Sequence, residues 1–267
     1  MTTTSQAIQV CEAVLRADLE YNQTNKIWPS VNRVIERMLG RRNELCDAYE
    51  ELHESLAQRP HALKSFFDIL TSTPVAWSPE KITEARQARK ELTGINAQIA
   101  AAAVALAQLL TRRDEIKEGS SFSCDTFYHP LDVLNAAAEH ENHHLFESYV
   151  KDGLETLQYQ YDLKYWPSLS SLVEAIGEDA ENAEVYAQDP ATDSATEGRR
   201  PGLSDFLKAF FIRLKENSVR EHGFIPNNLS VSDNTVASLV NCALDLNADK
   251  LIDGDFVKRF RQRERER

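Results

Sequence analysis

Apolar residues return every three or four positions along most of this chain, which is the spacing of one face of an α-helix. In the first such stretch, Ile8, Cys11 and Leu19 share a face. The alternation of apolar and polar residues that indicates β-strands is not evident, and Asn-Gly hairpin signals do not occur. The pattern therefore predicts an all-α fold. The predicted helices cover approximately residues 5–25, 29–58, a short helix through 66–70, 79–118, 130–161, 167–187, 203–221, 233–246 and 254–267.

Three of the predicted helices are long, and the one over 130–161 is expected to bend near residues 145–153 because its apolar face rotates there. The helix over 29–58 carries an apolar stripe close to a heptad repeat, the pattern of coiled coils. The helix over 79–118 would extend about 60 Å if unbroken, at about 1.5 Å per residue. The alanines from Ala97 to Ala107 would let another helix approach it closely.

A Lys-x-Trp-Pro-Ser sequence occurs twice, at residues 26–30 and 164–168. A second pair of matching blocks lies at nearly the same offset, because Leu63–Phe67 aligns with Leu207–Phe211. Two matches at similar offsets predict an ancient internal duplication. Each repeat would consist of a helix, a Trp-Pro-Ser corner, a second helix, a short Phe-Phe helix and a final helical arm.

The tryptophans of the two Trp-Pro-Ser corners can be interpreted in two ways. The tryptophans could be buried plugs that fix the angle between successive helices, since a large aromatic side chain contributes substantial burial. They could instead line two equivalent pockets in which Lys26 and Lys164 supply charge. We interpret them as structural corners, formed by Trp28, Pro29, Trp166 and Pro167.

The duplication also suggests a domain organisation. Residues 1–119 would form the first repeat, and residues 120–187 the first helices of the second. Residues 188–202 are polar and contain few side chains to bury, so we predict a flexible loop there. Residues 203–267 would complete the second repeat and end in a basic terminal helix.

Charge is unevenly distributed along the 267 residues. The net charge of −12 argues against binding to nucleic acid or anionic membranes over the whole surface, because phosphates repel an acidic protein. The last ten residues, however, hold six basic and two acidic side chains. They could contact nucleic acid as the second helix of a helix-turn-helix, although its connection would be long, or they could simply be solvated. The candidate nucleic-acid contacts are Lys258, Arg259, Arg261, Arg263, Arg265 and Arg267.

Histidines and carboxylates occur at spacings found in metal sites. Glu141-x-x-His144 and Glu50-x-x-His53 match the Glu-x-x-His motif of di-metal helical bundles. Helical geometry places Glu50 and His53 away from the apolar stripe of their helix. In the later helix, Glu141 lies on the apolar face, but His144 lies away from it. We therefore expect the cluster from His140 to His144 to be a surface feature.

The residues from Asp245 to Asp255 resemble the start of a calcium loop. Position six, where such a loop needs glycine, is Lys250, and position twelve, the bidentate glutamate, is Phe256. A helix end followed by a capped restart explains the same acids. We predict neither metal nor cofactor sites, and no catalytic residues.

Four scattered cysteines indicate neither a disulfide framework nor a zinc site. The N-terminus lacks the regions of a signal peptide. The most apolar run, from Ile99 to Leu110, is short for a bilayer span and is followed by Arg112 and Arg113. We therefore expect a cytoplasmic protein that does not associate with membranes.

These features favour a non-enzymatic helical interaction or scaffold protein. We expect it to bind a protein partner or to self-associate through its long helices. The first alternative is a nucleic-acid-associated regulator that uses the basic C-terminal helix. The second is a metal-dependent helical-bundle enzyme built around Glu141 and His144.

Overall fold

A computed structural model describes residues 2–140, 143–198 and 202–266 of the chain. Over these ranges the named elements are thirteen α-helices and two short 3₁₀ helices, without β-strands, so the predicted all-α class is confirmed. The α-helices are α1 Thr2–Thr24, α2 Pro29–Gly40, α3 Arg42–Leu56, α4 Pro60–Trp77, α5 Pro79–Gly119, α6 Pro130–His140, α7 His144–Tyr149, α8 Lys151–Gln160, α9 Leu169–Asn182, α10 Pro190–Thr196, α11 Leu203–Glu216, α12 Asp233–Ala243 and α13 Gly254–Arg265.

Helix starts follow the expected chemistry. Proline opens α2, α4, α5 and α6, where its missing N–H costs no hydrogen bond. Ser168, Ser232 and Asp253 cap α9, α12 and α13 by accepting a hydrogen bond from a backbone N–H three residues later. The cap at Asp253 agrees with the capped restart that the sequence indicates for this stretch.

Two long helices predicted from the sequence are divided. The stretch 29–58 breaks at Arg41, whose φ of −97° and ψ of 29° are not helical. It follows Gly40, a residue with weak helix propensity. The stretch 130–161 was expected to bend but forms three helices, because α6 ends at His140 and Val150 separates α7 from α8.

Part of the segment 188–202 is helical, which corrects the prediction of a flexible loop. Asp189 caps α10 by accepting hydrogen bonds from the backbone N and the Oγ1 of Thr192, both at 2.8 Å. Ala191 and Ala195 are buried on one face, and α10 packs against α11. The overall polarity of the segment concealed these two alanines, whose i, i+4 spacing gives a short helix one apolar face.

The chain divides into two compact units. The first, called the core unit, consists of residues 1–88 and 186–267. The second, called the insert unit because it interrupts the core unit in sequence, consists of residues 89–185. Helix α5 begins in the core unit and continues into the insert unit.

The core unit encloses a continuous hydrophobic core. Its largest fully buried side chains are aromatic, and Phe66 and Phe210 meet edge to face with ring centroids 6.1 Å apart. Helix α4, which carries Phe66, packs against α11, which carries Phe210. The fully buried aromatic residues are Tyr49, Phe66, Phe67, Phe206 and Phe210.

The insert unit buries much smaller side chains. In its described part, the buried apolar residues are four alanines together with Pro130 and Leu131. Helix α9 comes close to α5 at one position. A Cβ atom added to Gly177 would lie 2.8 Å from the Cβ of Ala103, so the expected close approach to the alanine-rich stretch is confirmed.

The two proposed repeats are distributed differently over the units. The first Trp-Pro-Ser stretch belongs to the core unit and the second to the insert unit, whereas both Phe-Phe blocks lie in the core unit. The duplication therefore does not coincide with the division into units, and it stays a prediction.

Helix α5 also changes the expectation about membranes. By length and composition alone, it is the one helix in the described ranges that could cross a bilayer, and its most apolar 18-residue window has a mean hydropathy of 1.4. The apolar run is longer than the predicted stretch from Ile99 to Leu110, since no charged residue occurs from Gly94 to Thr111. A single helix of this kind is only a weak indication of a membrane segment.

Candidate functional site

An apolar stripe runs along the exposed side of α5 in the insert unit. From Leu92 to Leu109 its residues follow alternating steps of three and four, which is the heptad pattern of coiled-coil seams, and Arg113 interrupts the stripe before Ile116. The large side chains of the stripe are each between 40% and 68% exposed. From the first leucine to Leu109 the stripe is about 26 Å long at about 1.5 Å per residue. The stripe consists of Leu92, Ile95, Ile99, Ala102, Leu106, Leu109 and Ile116.

A different face of α5 packs within the insert unit. Ala103 and Ala107 are buried there, and Gly177 of α9 lies against Ala103. At about 100° per residue, this face is rotated by roughly a quarter turn from the centre of the stripe. The packing against α9 therefore leaves the heptad stripe uncovered.

Charged residues flank the stripe. Glu91 directly precedes it, and Arg112 lies near its other end. Arg112 donates a hydrogen bond to Glu115 at 2.8 Å, but both side chains are more than half exposed. An exposed ion pair of this kind is weak, so Arg112 can exchange its partner at little cost.

Further apolar side chains of the insert unit are exposed outside α5. Phe122 and Tyr149 are each 82% exposed, and Tyr165 is also largely exposed. Single exposed apolar residues are ordinary, but many of them in one small unit are typical of a surface that binds another molecule.

Trp28 is not the buried plug that we expected, because its side chain is 64% exposed. Its backbone is left-handed, with φ at 53° and ψ at 47°, a region that non-glycine residues seldom adopt. Two asparagines hold this corner instead: the Asn22 side-chain amide donates to Asn32 Oδ1 at 3.0 Å, and Ile27 N donates to Asn22 O at 2.9 Å. The sequence pattern gave no indication of this pair.

Trp28 borders a cleft of about 350 Å³ in the core unit. The lysine in this cleft is Lys64, and not Lys26 as in the alternative interpretation of the corner. Lys64 Nζ contacts Asp18 Oδ1 at 2.8 Å and Asp68 Oδ1 at 3.0 Å. Burial opposes the charge of Lys64, but hydrogen bonds to these two carboxylates outweigh it and raise its pKa. The charge of Lys64 is therefore already engaged by two carboxylates within the cleft.

Trp166 has a different environment. Its side chain is half-buried, its φ is −103°, and its ring packs edge-on against His129 with centroids 4.8 Å apart. The two tryptophans thus differ in backbone conformation and in exposure, and they do not line equivalent pockets.

The basic residues of α13 are only partly available to a ligand. Arg261 donates to Asp233 Oδ1 at 2.7 Å and to Val231 O at 2.9 Å, so it holds α13 in place. Arg263 donates to Ser204 Oγ at 3.3 Å. The remaining candidates that the structure describes are exposed: Lys258, Arg259 and Arg265.

Arg267 lies outside the described residues. The connection between α12 and α13 is ten residues long, from 244 to 253, whereas a helix-turn-helix has a turn of three or four residues.

The histidine cluster provides a helix cap. Phe146 N donates to His143 Nδ1 at 3.3 Å at the start of α7, and His144 is exposed. Glu141 lies outside the described residues, so the Glu141-x-x-His144 motif of the metal-enzyme alternative is not described as a whole. Among the described residues, no group of three or more His, Cys, Asp or Glu side chains could hold a metal ion.

Two acids of the calcium-like stretch take part in internal contacts. Asp245 forms ion pairs with Arg37 and Arg41, both at 3.4 Å. Asp253 caps α13, where Phe256 N donates to its Oδ1 at 2.8 Å. These contacts favour the interpretation of a helix end followed by a capped restart.

No family model, no curated protein and no solved structure matches this chain. The surfaces described above are therefore the basis for inferring a function. Among them, the stripe on α5 was missed by the sequence analysis, although its heptad spacing was present in the sequence.

Proposed function

We propose that this protein is a non-enzymatic helical interaction protein that acts by binding other protein chains through its insert unit. The observation that carries this proposal is the exposure of the apolar side chains of that unit, above all the heptad stripe of α5. Large exposed apolar surfaces on soluble domains commonly mark interaction sites.

The core unit supports this assignment by contrast. Its aromatic side chains are buried against one another, so it can fold around its own core. The insert unit leaves most of its leucines, isoleucines and tyrosines accessible. A bound protein surface would remove these side chains from water, at about 25 cal/mol per Å² of apolar area.

Cross-linking in cells tests the proposal. An amine-reactive reagent would reach Lys117, Lys151 and Lys164 of the insert unit and, as the matched control, Lys26, Lys81 and Lys215 of the core unit. Intermolecular cross-links, identified by mass spectrometry, are expected to concentrate on the insert-unit lysines. Cross-links confined to the core unit, or a complete lack of intermolecular cross-links, would contradict the proposal.

A second candidate function is nucleic-acid binding by α13. The supporting observation is the exposure of Lys258, Arg259 and Arg265 on this helix. Replacing all three by glutamine removes the charge without disturbing Val257 and Phe260, which are buried. Fluorescence anisotropy of a labelled DNA duplex at two salt concentrations would measure the effect. If these residues contact phosphates, the slope of log K against log salt falls by about 2.7. Equal binding by both forms would exclude this surface.

We also propose that the chain arose by internal duplication. In support, both Phe-Phe blocks lie on helices that pack together, and both Trp-Pro-Ser stretches immediately precede or open a helix. An alignment of related chains would test this proposal. Relatives closer to the ancestor should be more alike at the two blocks, whereas relatives with only one block would contradict it.

A further inference from the structure

We propose that the occupant of the α5 stripe is a second copy of this chain, and that the two α5 helices pair antiparallel about a twofold axis between residues 100 and 101. This inference rests on the proposed function and names the partner. In a twofold contact each residue meets its counterpart reciprocally, so one helix must be self-complementary when reversed.

The stripe meets this requirement in one register. In antiparallel coiled coils, positions a and d of one helix face positions d and a of the other. With Leu92 at position a, three kinds of layer form, and each occurs twice about the axis. The layers are Leu92 with Leu109 of the second copy, Ile95 with Leu106 of the second copy, and Ile99 with Ala102 of the second copy.

Charge complementarity selects the antiparallel orientation. Glu91 and Arg112 both occupy position g, and g positions face each other in an antiparallel pair. Each Glu91 would therefore lie beside Arg112 of the second copy. In a parallel pair, Arg112 would face Lys117 and Arg113 would face its own equivalent, so that like charges would meet. Only the antiparallel arrangement therefore brings opposite charges together.

A lipid bilayer fits the helix less well. Outside the stripe, Asn96, Gln98 and Gln108 add polar groups to the helix surface, and the large exposed apolar residue there is Val104. Another face is already packed against α9 through Ala103. A protein helix needs only the stripe, whereas a bilayer would surround more of the helix.

Sedimentation velocity of the full chain, from low micromolar to submillimolar concentration, tests the pairing. Six layers form a short interface, so we expect a monomer–dimer equilibrium that shifts towards the dimer as concentration rises. Leu106→Glu places a charge in the seam and should abolish the dimer. The matched control is Val104→Glu, because Val104 is 55% exposed on the same helix but lies outside the stripe. It should leave the dimer intact.

A charge exchange tests the orientation. Glu91→Arg should weaken association at least several-fold, and adding Arg112→Glu in the same chain should restore it. A parallel dimer would not be rescued in this way. Circular dichroism would verify that each variant keeps its helix content. A dimer that survives Leu106→Glu, or lacks this rescue, would overturn the proposal.

The remaining outcomes separate this inference from the proposed function. A chain that stays monomeric at all concentrations and floats with phosphatidylcholine–phosphatidylglycerol vesicles would make a bilayer the occupant and overturn both. A monomer that does not float, but cross-links through its insert unit to a different protein in cells, would overturn the self-pairing alone. A monomer that neither floats with vesicles nor cross-links to another protein would contradict both proposals.

Discussion

The core unit and the insert unit are both built from helices, but they are stabilised differently. The core unit buries phenylalanine, tyrosine and leucine from α-helices at both ends of the chain. The described part of the insert unit buries mainly alanine. Since the free energy gained by burial rises with the apolar area removed from water, the insert unit gains much less from folding alone.

Ion pairs show the same contrast. In the core unit, Arg42 reaches Glu12 and Arg86 reaches Asp205, across long separations in sequence. In the described part of the insert unit, the ion pairs join residues at most four positions apart, as for Lys151 and Glu147. Local pairs support individual helices, whereas distant pairs fix how helices pack. Two units of similar helical content can therefore differ in how their helices are held together.

The largest expected effect comes from removing a core aromatic. Phe210→Ala should destabilise the core unit by about 3–5 kcal/mol, because Phe210 is fully buried and its removal leaves a cavity. The matched change in the insert unit, Ile176→Ala, removes an exposed side chain of α9 and should cost no more than about 0.5 kcal/mol.

Urea titrations read by pulsed hydrogen exchange and mass spectrometry would follow each unit separately. This precaution is needed because a chain with two units need not unfold in one step. If the two substitutions had similar effects on their units, the contrast in packing between the units would be wrong.

The second prediction concerns the buried pair of Arg86 and Asp205. Arg86 Nη2 donates to Asp205 Oδ2 at 2.8 Å, and both side chains are largely shielded from water. Asp205→Ala would leave a buried guanidinium without its counter-charge, which costs about 3 kcal/mol. In the insert unit, Asp114→Ala removes a local pair between exposed Asp114 and partly buried Arg113 and should change stability by less than about 1 kcal/mol.

The same urea titrations would measure both variants. Asp205→Asn should have an intermediate effect, since it keeps the shape but loses the charge. Equal losses from the aspartate changes in the two units would contradict the distinction between distant and local ion pairs.

The third prediction tests the close helix packing of the insert unit. Gly177→Ala places a methyl group 2.8 Å from Ala103 Cβ, so α9 and α5 must separate slightly. We expect a net loss of about 1 kcal/mol from overpacking, after the gain in helix propensity. Gly94→Ala on α5 is the control, because nothing lies within 4 Å of the added Cβ. It should stabilise α5 by about 0.5–1 kcal/mol. If both changes stabilise, α9 does not pack tightly on α5.

Much of the helical structure could be predicted from the sequence because it depends on local chemistry. Proline at helix starts and the caps Ser232 and Asp253 act over a few residues. Helix α10 was missed because its polar composition concealed Ala191 and Ala195, whose burial depends on α11. The division into two units was also missed, since it depends on which apolar faces meet across long sequence separations.

The candidate sites were harder to predict for the same reason. Arg261 looked like part of a free basic tip, but Asp233 and Val231 lie beside it only after folding. Trp28 looked like a core residue, but the hydrogen bond between Asn22 and Asn32 sets the turn, and the ring remains exposed. Heptad spacing on α5 was visible, but exposure cannot be read from spacing.

The smallest expected effect is a pH dependence of the core unit. Hydrogen bonds from Arg42 hold the pKa of Glu12 below its ordinary value, although burial opposes this. A carboxylate with a depressed folded-state pKa contributes stability above its unfolded pKa, about 4.3, and that stability is lost as pH falls through the folded value.

Glu12→Gln should therefore destabilise the core unit by about 1 kcal/mol at neutral pH, since its arginine partners are half exposed. The difference from wild type should shrink below about pH 4. Pulsed exchange at a fixed labelling pH, after equilibration at several pH values, would measure it. A difference that stays constant down to about pH 3 would show that the charge of Glu12 does not stabilise the packing of α1 on α3.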